Sequence, residues 1–102
     1  MNTRISKGRN GWEVCTRIDM GDDRLLVIDT YKTFNGSLVT QARGKTVEGD
    51  FLVWSSGTDY SKRLAVSTPK RLTAKVAEEQ HNKALQDIAV IRADFKNHYE
   101  MA

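Results

Sequence analysis

The chain has 102 residues, and its 16 lysine and arginine residues against 13 aspartate and glutamate residues give a formal net charge of +3. With 39% hydrophobic residues it can build one core, and its length allows one domain rather than two. It has no apolar run of about 18 residues, no apolar leader and a single Cys15. We therefore expect a cytoplasmic protein with no membrane span and no internal disulfide.

Residues 1–10 contain three basic and no acidic side chains, which predicts a flexible basic arm ahead of a single domain over residues 11–102. The domain begins with alternating side chains. The even-numbered positions carry Trp12, Val14, Thr16, Ile18 and Met20. The odd-numbered positions between them carry Glu13, Cys15, Arg17 and Asp19. A period of two indicates a half-buried strand with one wet face. The turn residues Gly21-Asp22-Asp23 end it.

A second strand is predicted from Arg24 to Phe34. The middle of this strand is apolar on both faces, which indicates a central place in the sheet. Asn35-Gly36 then predicts a type I′ hairpin, in which Thr33 would lie opposite Leu38. The third strand would cover residues 37–42.

The remaining β region is predicted to contain two short strands. Residues 43–50 include Gly44 and Gly49 and suggest a flexible connection. A fourth strand is expected over residues 51–54, a turn over 56–59, and a fifth strand at a sheet edge over 60–67, where Lys62 and Arg63 would discourage pairing between edges.

The C-terminal region predicts one long helix. Thr73 is a suitable N-cap, and nothing from Ala74 to Tyr99 breaks a helix. An apolar stripe with spacings of four and three comprises Ala77, His81, Ala84, Ile88, Ile91 and Phe95. We expect the stripe to pack on the sheet. Alternatively, its C-terminal part would form the interface of a homodimer. The predicted class is α+β: an antiparallel β-meander of four to five strands followed by one long C-terminal helix packed on the sheet.

Chemistry-bearing motifs are sparse. One Cys and two His residues do not approach a zinc site, and no nucleotide-binding or nucleophile-elbow motif is present. His81 is either a base or ligand, or a packed residue of the stripe. We therefore expect a non-enzymatic binding protein without catalytic residues, metal or cofactor.

Basic residues are concentrated before residue 72. A sheet with nearby aromatic rings and a basic rim is typical of single-strand nucleic-acid binding proteins. Trp12 and Trp54 would serve either as such rings or as core residues. The predicted nucleic-acid-binding residues are Arg4, Lys7, Arg9, Lys32, Arg43, Lys45, Lys62, Arg63, Lys70 and Arg71.

The stretch from Arg71 to Leu85, RLTAKVAEEQHNKAL, follows a β-rich region with Trp54 and Asp59-Tyr60-Ser61. In this it resembles small uncharacterised phage- or prophage-type proteins. That resemblance implies a bacterial or phage cytoplasmic setting. The order of strands followed by a helix is also similar to that of coactivator-type and Whirly-type single-strand binders, as an analogy between folds.

Two functional hypotheses follow. The first is a protein that binds single-stranded DNA or RNA through a mildly basic sheet face and its loops. The alternative is a phage- or mobile-element-type accessory protein that binds and modulates a host protein through an open sheet edge or face.

Overall fold

Five antiparallel strands and two helices make up the part of the chain that the computed structural model describes, residues 2–8, 11–33, 37–59 and 73–100. The sheet is a meander in the order β1-β2-β3-β4-β5. The elements are β1 (Asn2–Gly8), β2 (Gly11–Gly21), β3 (Arg24–Lys32), β4 (Ser37–Thr46), β5 (Gly49–Asp59), α1 (Ala74–Leu85) and α2 (Ile88–Glu100). The predicted α+β class with a β-meander is confirmed.

The prediction of an arm does not describe residues 2–8, which form β1 and pair with β2 from Asn2 opposite Arg17 to Gly8 opposite Gly11. Nearly all side chains of β1 are exposed, including that of Ile5. This strand has no buried parity to mark it in the sequence. Backbone hydrogen bonds to β2, rather than buried side chains, hold β1 in the sheet.

The alternation in β2 has the predicted consequence. Val14, Thr16 and Ile18 are buried, whereas the intervening charged side chains are exposed. The turn into β3 places Asp22 at φ 55° and Asp23 at φ 58°, the left-handed pair that a type I′ hairpin requires.

The pairing of β3 with β4 differs from the predicted register by one residue. Lys32, not Thr33, lies opposite Leu38, and Thr30 lies opposite Thr40. The Asn35-Gly36 turn itself lies outside the described residues. Because side chains alternate between faces, a slip of one residue changes which side chains meet. The observed register brings two threonines together on one face.

Strands β4 and β5 are longer than predicted. Residues 43–46 continue β4, the turn is at Val47 and Glu48, and residues 56–59 continue β5 rather than turning. Gly44 is a packing residue of β4, because the ring of Phe51 on β5 occupies the space where a Cβ atom would lie. The fifth strand predicted over residues 60–67 lies outside the described residues.

The C-terminal region forms two helices rather than one. Thr73 is the N-cap of α1, as predicted, and its side chain accepts a hydrogen bond from the Val76 N–H at 3.2 Å. The interruption falls at Gln86 and Asp87, where the Asp87 N–H donates to the Ala84 carbonyl at 2.9 Å, a tighter i to i−3 bond. The interruption contains no Gly or Pro, so the sequence carried no signal for it.

Both helices pack on one face of the sheet, α1 across β2, β3 and β4, and α2 against β5. The predicted stripe lies there: His81 and Ile91 are fully buried, Phe95 is nearly so, and Ile88 packs at the margin of the core. The main hydrophobic cluster contains Ile18, Leu26, Ile28, Ala42, Ile91 and Phe95. Trp54 packs against this cluster, and Trp12 is half-buried. Neither helix is long and apolar enough to cross a membrane.

Candidate functional site

The two faces of the sheet differ in what covers them. Residues directly opposite in neighbouring strands share a face, so the register assigns each side chain to one side. We call the side that carries Thr16, Ile28 and Ala42 the helix face. The other side, the open face, carries Arg17, Val27 and Arg43.

A buried polar chain crosses the helix face at His81. The Thr16 hydroxyl lies 2.7 Å from Nε2 of His81, and the Thr30 hydroxyl lies 2.9 Å from Nδ1. The chain continues from Thr16 to the Thr3 hydroxyl at 2.8 Å and from Thr30 to the Thr40 hydroxyl at 2.7 Å. It thus joins β1, β2, β3 and β4 to α1.

His81 has the environment of a neutral structural imidazole. Burial lowers its pKa below the ordinary value of 6.5, and the charge of Asp29 opposes this shift. A neutral ring has one donor and one acceptor nitrogen, and hydroxyls can serve both. The side chain is fully buried and both nitrogens are hydrogen-bonded, so a substrate has no access to it. Of the two interpretations of His81, the geometry favours the packed residue.

The open face carries three arginines that follow one another across the sheet. Arg17 on β2 and Arg43 on β4 both lie opposite Val27 on the intervening β3. Two strand spacings of about 4.8 Å separate their backbones by about 10 Å. Arg4 on β1 lies diagonal to Arg17, because its direct partner is Cys15. We call Arg4, Arg17 and Arg43 the arginine track.

Polar contacts hold the β4 end of the track. The Gln41 side-chain oxygen accepts from Nη2 of Arg43 at 2.9 Å and from the Tyr31 hydroxyl at 3.0 Å. Val27 is only 4% exposed although it lies on the open face. A fixed guanidinium and a half-buried aromatic ring therefore lie next to each other on this face.

Cys15 lies beside the track and is half-buried. Burial raises the pKa of its thiol to about 11, helped by the hydrogen bond to Asp29 and by the charge of that carboxylate, while Arg17 acts in the opposite direction. At neutral pH the thiol is therefore protonated and donates to Asp29. It is not an activated nucleophile.

The predicted nucleic-acid-binding residues are divided among three places. Arg4, Arg43 and Lys45 lie on the open face. Lys7 and Lys32 lie on the side of the helix face, opposite Trp12 and Leu38. The other five fall outside the described residues: Arg9, Lys62, Arg63, Lys70 and Arg71.

Sequence reasoning missed Arg17, the central member of the track. The signal was present, because Arg17 belongs to the wet parity of β2 that the alternation had already identified. Grouping basic residues along the chain, rather than by face, left it out. The open face also carries Glu13, Asp19 and Asp50 near its margins and Asp29 at its centre, diagonal to Arg17 and Arg43, so its charge is mixed and the arginine track is a local feature.

Comparison with known proteins gives no further guide, since the chain matches no family model, no curated protein and no solved structure. Within the described ranges, no group of three or more His, Cys, Asp or Glu side chains is placed to hold a metal ion.

Proposed function

We propose that the protein binds single-stranded nucleic acid on the open face, with its phosphates along the arginine track. The observation that carries this proposal is the succession of Arg4, Arg17 and Arg43 across four adjacent strands of a sheet whose helices lie on the other side. A guanidinium offers a planar fork of donors that matches the oxygens of a phosphate.

Tyr31 extends the proposal from phosphates to bases. It lies on the open face two residues beyond Asp29, and its hydroxyl shares the Gln41 oxygen with Arg43. Bases of a single strand stack on aromatic rings, whereas a duplex hides its bases from such a ring. A sheet face on which the described residues include one ring and three arginines therefore favours a single strand over a duplex.

The salt dependence of binding tests this proposal. Three phosphate contacts to a single strand give a slope of about −2 in log K against log salt, hence about a 20-fold loss between roughly 50 and 200 mM salt. Fluorescence anisotropy with a labelled oligothymidylate measures it. Arg43→Gln should weaken binding and reduce the slope by about 0.7.

The matched control is Arg92→Gln, which removes the same charge from an exposed position on α2, away from the open face. It should leave the affinity and the slope nearly unchanged. Absence of binding at about 50 mM salt, or equal losses in the two variants, would overturn the proposal.

A second candidate is an accessory protein of phage or mobile-element type that binds a host protein. Leu52 favours it, since this side chain is 58% exposed and lies opposite Arg43 on the same face. An exposed apolar residue beside mixed charges is typical of protein contact surfaces. Pull-down from nuclease-treated bacterial lysate tests it: a specific partner retained by the native protein should be lost with Leu52→Lys.

A further inference from the structure

A pocket lies at the edge of the sheet formed by β1 and β2, at one end of the arginine track. It has a volume of about 480 Å³ and is lined by Asn2, Thr3, Arg4, Cys15 and Arg17. We call it the β1 pocket. Its volume lies within the range of small-ligand pockets, about 300–1,000 Å³, and is large enough for one nucleotide.

Two positive charges face the β1 pocket. Arg4 and Arg17 are both exposed, and Arg17 also interacts with the Cys15 thiol in the pocket lining. Their diagonal placement on adjacent strands brings their Cα atoms within about 7–8 Å of each other. Two like charges on neighbouring side chains repel, and an anion between them would remove the repulsion.

The surroundings limit where such an anion can lie. β1 is an outer strand of the sheet, so the pocket is at the sheet margin on one side. On the other side Asp29 lies directly opposite Cys15, and its carboxylate accepts a hydrogen bond from the Cys15 thiol. A negative charge there disfavours a phosphate chain that would continue from the pocket along this row toward β3.

We propose that the β1 pocket binds a terminal phosphate of the nucleic-acid strand. A phosphate monoester carries about −1.5 to −2 charges at pH 7. This matches two arginines better than the single charge of an internal phosphodiester. The proposal rests on the proposed function, and it adds a preference for phosphorylated strand ends.

Three oligothymidylates of equal length test this inference, one with a 5′-phosphate, one with a 3′-phosphate and one with hydroxyls at both ends. One of the two phosphorylated strands should bind at least about tenfold more tightly than the unphosphorylated strand, as expected for an added charge-assisted hydrogen bond. The strand that gains affinity identifies whether the 5′ or the 3′ end enters the pocket.

Variants separate the pocket from the rest of the track. Arg4→Gln should abolish the preference for the phosphorylated end. Arg43→Gln should weaken the binding of all three oligonucleotides but keep the preference for the phosphorylated end. The control Arg92→Gln should change neither the affinity nor this preference. Competition by thymidine monophosphate should reduce the preference in the native protein and have no effect in Arg4→Gln.

The outcomes distinguish the two proposals. Equal affinity for all three oligonucleotides, with binding intact, would overturn the terminal-phosphate site and leave the proposed function standing. Persistence of the preference in Arg4→Gln would also overturn it. Failure of every oligonucleotide to bind would overturn both.

Discussion

The two faces of this sheet use their polar residues in opposite ways. On the helix face, His81 and its threonines are buried and hydrogen-bonded to one another, so their donors and acceptors are satisfied within the protein. On the open face, Arg4 and Arg17 are exposed, with charges available to a ligand. A buried polar group contributes to one specific structure, whereas an exposed charge contributes little to stability and can be used for binding.

The largest expected effect is on the helix face, at Phe95. This side chain is 2% exposed, and its ring centroid lies 5.6 Å from that of Phe51. Phe95→Ala should lower the free energy of unfolding by about 3–5 kcal/mol, measured by urea denaturation. Val90→Ala on the same helix, at a position 56% exposed, should change it by less than about 0.5 kcal/mol. Equal effects would show that α2 does not pack on the sheet as described.

His81 should give the next largest effect. His81→Leu removes the partner of Thr16 and of Thr30, and we expect a loss of about 1–3 kcal/mol in the free energy of unfolding.

The same residue predicts a pH dependence. The unfolded chain takes up a proton at His81 near its ordinary pKa of 6.5, whereas the folded chain does so only at lower pH. The unfolded state therefore binds more protons, and the native protein should lose stability as pH falls below about 6.5. In urea titrations His81→Leu should lose this contribution, whereas His98→Gln, at an exposed position on α2, should retain it. An unchanged pH profile in His81→Leu would contradict the assignment.

Gly44 tests how closely β4 and β5 pack on the helix face. In Gly44→Ala the new Cβ atom would overlap the Phe51 ring, and overpacking of this kind costs about 1–3 kcal/mol. Thermal unfolding should therefore show a lower Tm. In the background of Phe51→Ala the same change should have little effect, because the ring is absent. An equal loss in both backgrounds would place the cause in the backbone rather than in the ring.

The smallest effect on stability is expected on the open face. Arg17→Gln should change the free energy of unfolding by no more than about 0.5 kcal/mol, because the side chain is exposed. The same variant should weaken oligonucleotide binding. A substantial loss of stability at Arg17 would remove the contrast between the two faces.

Alternation was the most informative local signal for the fold. It identified β2, because buried side chains alternate there with half-buried or exposed ones. It failed for β1, whose side chains are nearly all exposed, and for β4, where Gly44 suggested a loop. The interruption between α1 and α2 at Gln86 and Asp87 was not predicted because neither Gly nor Pro occurs there.

The candidate site was predicted in part. Arg4, Arg43 and Lys45 were identified from basic groups, and the structure places all three on the open face. Arg17 was missed because it stands between acidic neighbours in the chain, at Glu13 and Asp19. In the sheet Arg17 also has as neighbours Asn2 on β1 and Val27 on β3, which lie opposite it.

By itself the sequence determined the α+β class, the wet and buried sides of β2, the N-cap Thr73 and the helical stripe. Each of these depends on residues a few positions apart. Only the tertiary structure decided the register of β3 with β4, the contacts of His81 with Thr16 and Thr30, and the arginine track. These join residues that are distant in the chain. A shift of one residue in pairing exchanges the two faces of a strand, and local patterns do not fix that shift.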